Sequence, residues 1–299
     1  MNWKKHGLLY CHKNHNGDNA HTTVPFVKHL QNDVFRIYFS PRDEQSRSCP
    51  IFIDINIFTK EVVNIAHHPL LLPGSLGTFD DAGCVLFQIL EANDKRYLYY
   101  SGWTLLKRVP FTFFIGLAIA ENNKEDFTKF SQAPVIGVSE YNPFLAGAPW
   151  IIIENDVWRM WYVTGLGWKD GKHIYTVTYA ESTNGIDWRP SGKICLPFKS
   201  DKEYAIARPV VIKSNELYVM WYSYRATEGC STYQIGYAES LDGIEWNRKD
   251  EEAGISASVN GWDSEMVCYP FVFEHKSRLY MIYNGNAYGK TGIGLAELI

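Results

Sequence analysis

The chain repeats itself about every sixty residues, and this period limits the folds open to it more than any other feature. One aromatic-rich segment occurs five times: RIYFS at 36–40, YLYYSG at 97–102, RMWYVTG at 159–165, YVMWYSY at 218–224 and YMIYNG at 280–285. Its aligned residues Phe39, Tyr100, Tyr162, Tyr222 and Tyr283 are spaced by 61, 62, 60 and 61. Upstream of each copy runs a second segment, TVPFV, GCVLFQI, GAPWIII, ARPVVI and CYPFVF, in which Pro25, Leu86, Pro149, Pro209 and Pro270 recur at 61, 63, 60 and 61. Downstream runs a third: IFIDIN, FIGLAIAE, YTVTYAES, YQIGYAES and GIGLAEL. A fourth opens on an aromatic, clearest in GIDW at 185–188 and GIEW at 243–246 and weaker in EDF at 125–127.

Four short β-type segments per period, punctuated by Gly, Asn and Asp, describe a four-stranded antiparallel blade. Proline cannot donate to a ladder, so its recurrence places the second segment at a blade's innermost strand, which has a free edge at the central channel. The fifth copy stops at GLAELI without a fourth segment. The chain opens on NWKKHGLLY, whose Trp3 and Gly7 reproduce the spacing of Trp188 and Gly192. The expected fold is therefore all-β: a five-bladed β-propeller with four-stranded antiparallel blades, ring closed by the N-terminal strand, occupying 1–299 as one domain. A pair of β-sandwiches would not require a period near sixty.

Composition excludes several classes. With 46% hydrophobic and 21% charged residues the chain can bury a core and is not disordered. A net charge of −4 leaves no electrostatic footprint for nucleic acid or an anionic membrane. No stretch reaches the roughly eighteen apolar residues of a membrane span, and the first residues lack a signal-peptide core. Cytoplasmic localisation is the resulting expectation. The six cysteines stand singly and read as buried thiols. His12, His15 and His21 lie in an Asn- and Gly-rich loop without zinc spacing, so neither metal nor cofactor is expected. The absence of a P-loop, a dinucleotide fingerprint and a G-x-S-x-G elbow removes NTPase, dehydrogenase and serine hydrolase chemistry.

In an up-and-down blade, the segment before the first strand and the loop between the second and third strands share one face of the disc. The first set brings His21, Asp80, Asp81, Glu140, Glu203, Arg208, Asp263 and Glu265 to that face. The second brings Arg42, Asp43, Arg47, Trp103, Lys107, Arg108, Trp168, Tyr224, Arg225, Asn284, Asn286 and Tyr288. Trp161, Trp221 and Trp246 recur inside blades and belong to the core. Asp80 reads as a turn cap and Glu140 as a solvated charge.

The five-fold pattern, with WKKHGLLY, RIYFSPRDEQSRS, GTFDDAG, YYSGW, ARPVVI, MWYSYR, GYAESLDGIEW, GWDSEM and YNGNAYG, resembles the five-bladed propeller superfamily of arabinanases, β-xylosidases, invertases, levansucrases and mannoside phosphorylases. Within it the chain is most similar to a bacterial branch associated with surface-polysaccharide genes, which also resembles the N-terminal part of plant glucosamine inositolphosphorylceramide transferases. The resemblance covers essentially the whole chain and implies carbohydrate chemistry by carboxylate acid/base catalysis. In the arabinanase and invertase families the acids come from the first strands of the first three blades or from nearby entries. Asp81 matches that pattern, whereas HTTVPFV and AGAPWII carry no acid and depart from it.

Glycoside hydrolysis needs two carboxyl groups flanking the scissile bond. The candidates are Asp81, Glu203 and Glu265, with Asp43 and Asp263 in reserve. Substrate contacts are expected from His21, Arg42, Asp43, Arg47, Trp103, Trp168, Arg208, Tyr224, Arg225, Asp263 and Asn286. Guanidinium forks suit carboxylate or phosphate. The expected partner is therefore an anionic or polysaccharide-derived carbohydrate: a uronic acid, a phosphorylated or nucleotide-linked sugar, or a sugar with inorganic phosphate as cosubstrate. Three classes follow: a glycoside hydrolase-like enzyme, a phosphorylase or nucleotide-sugar-dependent glycosyltransferase, and a non-catalytic sugar-binding propeller. Oligomeric state is left open.

Overall fold

The computed structural model describes residues 1–14 and 16–299. Its strands run in chain order as β1 (Trp3–Tyr10), β2 (Thr23–Gln31), β3 (Val34–Ser40), β4 (Ile51–Asn56), β5 (Val62–Ile65), β6 (Gly83–Ala92), β7 (Lys95–Leu105), β8 (Phe111–Glu121), β9 (Thr128–Lys129) and β10 (Ala146–Glu154). They continue as β11 (Val157–Lys169), β12 (Lys172–Ser182), β13 (Arg189–Ile194), β14 (Glu203–Ser214), β15 (Leu217–Ala226), β16 (Gln234–Ser240), β17 (Asn247–Arg248), β18 (Cys268–His275), β19 (Arg278–Asn284) and β20 (Ile293–Leu298). The fold is all-β, and among the described residues no helix is long and apolar enough to cross a membrane.

Three sheets have four strands, ordered β2-β3-β4-β5, β6-β7-β8-β9 and β1-β20-β19-β18. An eight-stranded sheet holds β10 to β13 and β14 to β17 as two halves, joined by one parallel bridge, Tyr175 to Ala205. No sheet among the described residues closes on itself. The strands β2, β6, β10, β14 and β18 touch one another in that order, and β18 touches β2. β1 lies antiparallel along β20, with Trp3 opposite Leu298 and Tyr10 opposite Ile293.

The recurring prolines mark something more specific than a free edge. Register slips between Thr23 and Phe26, Gly147 and Trp150, Ala207 and Val210, and Cys268 and Phe271. Within each slip the residue before proline is left-handed: Val24 (φ 57°), Ala148 (50°), Arg208 (54°) and Tyr269 (53°). Proline is at home in a bulge because the bulged position owes no N–H to the ladder. Non-glycine residues in this region are strained, and the neighbours must hold them there. One sheet supplies the hold for the next. Ser101 Oγ accepts from the Ala148 N–H at 2.9 Å, Ser223 Oγ from Tyr269 at 2.8 Å, and Asn284 Oδ1 from Val24 at 2.9 Å. Ser40 Oγ accepts from Leu86 at 3.1 Å in the copy that lacks the proline.

A second device repeats beside it. Asp80 accepts from the Tyr100 hydroxyl at 2.9 Å and pairs with Lys129 at 2.5 Å; Asp263 accepts from the Tyr283 hydroxyl at 2.9 Å and pairs with Lys5 at 2.6 Å. At the corresponding places Asn142 takes the Tyr162 hydroxyl at 3.1 Å, and Glu203 takes Arg248 at 2.6 Å while Arg248 donates to the Tyr222 oxygen at 2.9 Å. In four of the five units a polar residue at or ahead of the start of the first strand thus ties that segment to the aromatic of the second strand, directly or through Arg248, and in three of them it pairs with a cation of the outermost strand.

Aromatic side chains fill the spaces between adjacent units, as in Tyr97 against Trp158, Trp161 against Tyr218 and Trp3 against Trp221. The turns of GIDW and GIEW clasp the preceding unit through Tyr99 to Gly185 O at 2.5 Å and Trp161 to Gly243 O at 2.6 Å. Both glycines have positive φ, and a Cβ there would meet Trp158 at 2.6 Å or Trp161 at 2.9 Å, so no other residue fits. Trp161, Trp221 and Trp246 are buried as expected, but the reading of all six cysteines as buried needs correction. Cys11 and Cys230 are half-buried; the other four are buried, and none is in a disulfide.

Candidate active site

The four left-handed residues Val24, Ala148, Arg208 and Tyr269 line one cavity of about 1020 Å³. The bulge turns side chains of the innermost strands inward, and the strands' upper loops wall the space above them. His21, Arg42, Arg47, Asp81, Trp103, Arg208 and Arg225 of the expected set all border it. Trp103 is backed by Phe111, and Arg42 lies 5.8 Å above its ring, leaving an apolar wall edged by cations.

Among the described residues, Asp81 is the one carboxylate lining the cavity. One of its oxygens accepts from the Gly77 N–H at 2.8 Å, which fixes the side chain on the loop before β6. The neighbouring Asp80, in the same turn ahead of β6, is instead buried on Lys129 and Tyr100.

The three proposed carboxylates do not converge. Glu203 is buried in a bidentate pair with Arg248, which also holds Asp250 at 2.8 Å. Asp263 is likewise spent on Lys5 and Tyr283. Both occupy the repeated tie and face the inside of their units. Glu265 is exposed and off the cavity; its backbone N–H is held by Asn286 Oδ1 at 2.8 Å. Asn286 itself pins that segment by also accepting from the Met266 N–H at 3.1 Å. Tyr224 stands beside Arg248, away from the cavity, and Trp168 packs outside it on Phe111 and His173. Asp43 lies beside the cavity's lining, accepting from the Arg47 Nε–H at 2.9 Å. Among the described residues no group of three His, Cys, Asp or Glu could hold a metal ion. His15 lies outside the described residues. His67 and His68 are exposed, as is Glu140.

The cavity is electropositive. Arg42, Arg208 and Arg225 have no carboxylate within ion-pair distance among the described residues. Arg208 is fully buried and crosses from β14 to donate to Phe87 O and Pro25 O, both at 3.0 Å, while its Nε has no partner. Burial pulls its pKa down to about 9. Arg225 donates to the Tyr288 hydroxyl at 2.8 Å and lies over the rings of Tyr204 and Tyr233 at 5.0 and 4.7 Å. His21 is held down at about 4 by burial and by Arg42 and Lys290; His173 is held at about 3 by burial and by Arg225. Both are neutral at pH 7. Tyr175, Tyr233 and Tyr269 line the inner part of the cavity and were not singled out in the sequence. Only Tyr269 carried a signal there, as the residue before a recurring proline.

No family model matches the chain. Two Mycobacterium tuberculosis proteins, the uncharacterized proteins Rv1502 of strain H37Rv and MT1551 of strain CDC 1551, are each 36% identical to it over 303 residues, covering 100% of this chain and 99% of theirs. Among solved structures, a glycoside hydrolase superposes with a TM-score of 0.77 at 15% identity, covering 98% of this chain and 90% of its own. The catalytic domain of a Coprinopsis cinerea GH62 α-L-arabinofuranosidase gives 0.68 at 11% identity, with 99% and 96% covered. A thermostable family-43 glycoside hydrolase gives 0.66 at 17% identity, with 94% and 90% covered. At these identities the likeness is one of fold: the chain has the propeller-type fold of glycoside hydrolases.

Proposed function

The chain belongs to one family with the Mycobacterium tuberculosis proteins Rv1502 and MT1551, and from that premise we propose that this family uses a glycoside hydrolase-like five-bladed propeller, closed by β1, to transfer a glycosyl group to or from phosphate. The observation that carries the reading is the cavity's inventory among the described residues: one carboxylate, Asp81, and four arginines in its lining. Hydrolysis by the common route takes two carboxyl groups about 5–9.5 Å apart, and the described lining offers no second one. Phosphorolysis needs one. A phosphate oxygen attacks the anomeric carbon, the bond from that carbon to the aglycone oxygen breaks, and protonated Asp81 gives its proton to the departing oxygen. The proton that the phosphate loses on becoming an ester restores the carboxyl. A guanidinium on the inner wall binds the phosphate and offsets its repulsion from other acceptors, and the Trp103 face holds the sugar ring. The carbohydrate-degrading solved structures of the same fold support a sugar ligand.

The test is a panel of glycosides incubated with and without inorganic phosphate. The expected result is sugar phosphate formed only when phosphate is present, and a fall of at least about a hundredfold in Asp81→Asn, the size of a general acid's contribution. Free sugar released at the same rate without phosphate would overturn the reading in favour of hydrolysis. Sugar affinity without turnover across the panel would overturn it in favour of a binding propeller.

A further inference from the structure

The four arginines of the cavity are not equivalent. Arg42 is exposed at the rim, and Arg47 already has a carboxylate in Asp43. Arg225 and Arg208 lie on the inner wall, on the paired strands β14 and β15, where Arg225 stands opposite Ala205, three residues from Arg208. Among the described residues neither has a counter-charge, and each leaves its buried Nε without a partner.

A buried cation normally persists only when paired. Here the structure supplies carbonyls to Arg208 and phenol rings to Arg225, and these groups orient the guanidiniums without neutralising them. Tyr233 and Tyr269, whose pKa values burial raises well above the usual phenol value, stay neutral O–H groups. Arg208 is itself wholly inaccessible, so it acts through its field from behind the wall. Arg225 is the guanidinium that a ligand reaches, beside Tyr288.

We infer that Arg225, caged by Tyr204, Tyr233 and Tyr288 and backed by the buried charge of Arg208, is the subsite that holds the ligand's oxyanion, while Arg42 and Arg47 serve the approach. This rests on the reading of the cavity as a site for an anionic sugar reaction and assigns the anion its place. The group bound is an oxyanion on or beside the sugar, either a phosphoryl or a carboxylate.

Calorimetric titration of inorganic phosphate, glucose 1-phosphate, glucuronate and glucose into the wild-type protein, Arg225→Gln, Arg225→Lys and Arg42→Gln separates the possibilities. Loss of a charge-assisted, oriented guanidinium should weaken the preferred anion at least about tenfold in Arg225→Gln, with a smaller loss in Arg225→Lys, which keeps the charge and not the fork. Arg42→Gln should change affinity by less than about threefold, since rim charges act mainly on association rate. The stronger of the phosphate and glucuronate arms identifies the oxyanion. An anion preference that survives Arg225→Gln and disappears in Arg42→Gln would overturn this inference and leave the functional reading intact. A wild-type protein that binds glucose as well as its anionic relatives would overturn the reading itself. Melting curves of each variant identify a folding loss, and in that case Arg225→Lys, which preserves the ring contacts, decides the matter.

Discussion

A histidine in an unfolded chain takes its proton near pH 6.5, whereas His21 is held at about 4 and His173 at about 3 in the folded protein. Between these values the unfolded state holds more protons than the folded one, so the protein loses stability as pH falls from above 6.5 toward 4. Urea midpoints measured from pH 7.5 to 5 should drop, and the drop should be shallower in the double variant His21→Gln, His173→Gln. Equal slopes would show that these histidines do not carry the effect. The cause is chiefly burial, to which Arg42 and Lys290 add at His21 and Arg225 adds at His173. At this scale the sequence was legible in part. Residue types and their approach to one mouth could be read, and His21, Arg42, Arg47, Asp81, Trp103, Arg208 and Arg225 do share a cavity. Which way a carboxylate turns could not be read. Asp81 precedes β6 and Glu203 opens β14, but Glu203 occupies the place of Asp80, whose partners Tyr100 and Lys129 correspond to Tyr222 and Arg248. An offset of one residue separates the cavity from the ion pair.

Each innermost strand carries a bulge, and four of the five bulges take an acceptor from a neighbouring sheet. Ser101 is buried, and its Oγ is the acceptor for the Ala148 N–H. Removing it should leave a buried donor unsatisfied, which costs roughly 1–3 kcal/mol. Ser101→Ala and Ser223→Ala should each lower the free energy of unfolding by that amount in chemical denaturation, and Ser101→Thr, which keeps a hydroxyl, should recover part of it. An unchanged midpoint in both alanine variants would show that water or a shifted backbone takes over the donor. The proline recurrence announced the innermost strands, but its meaning as a bulge was hidden. A free edge and a bulge both tolerate a residue without an N–H, and only register distinguishes them. Where the repeat substitutes Val163 for the serine, Arg208 has no such acceptor from the preceding unit. The strand that presents the buried cation is therefore also the one that departs from the common tie.

The pairing of β1 with β20 joins the two ends of the chain, and Lys5 on β1 neutralises Asp263 at the C-terminal unit's cavity-side approach. Two losses would follow from removing this strand. The backbone of β20 would become an open edge, a template for pairing with another chain. Asp263, nearly inaccessible, would keep Tyr283 and lose its cation, a change of about 3–5 kcal/mol when one member of a buried pair is removed. A variant lacking residues 2–11 should therefore unfold at lower temperature and elute as higher oligomers in size-exclusion chromatography. A peptide of residues 1–11 added in trans should restore the elution profile of the intact protein. Lys5→Met, which keeps the strand and removes only the cation, should reproduce the stability loss without the association. If the truncated protein melts and elutes like the intact one, β1 adds nothing measurable to stability, and the contact of β18 with β2 holds the N- and C-terminal units together without it.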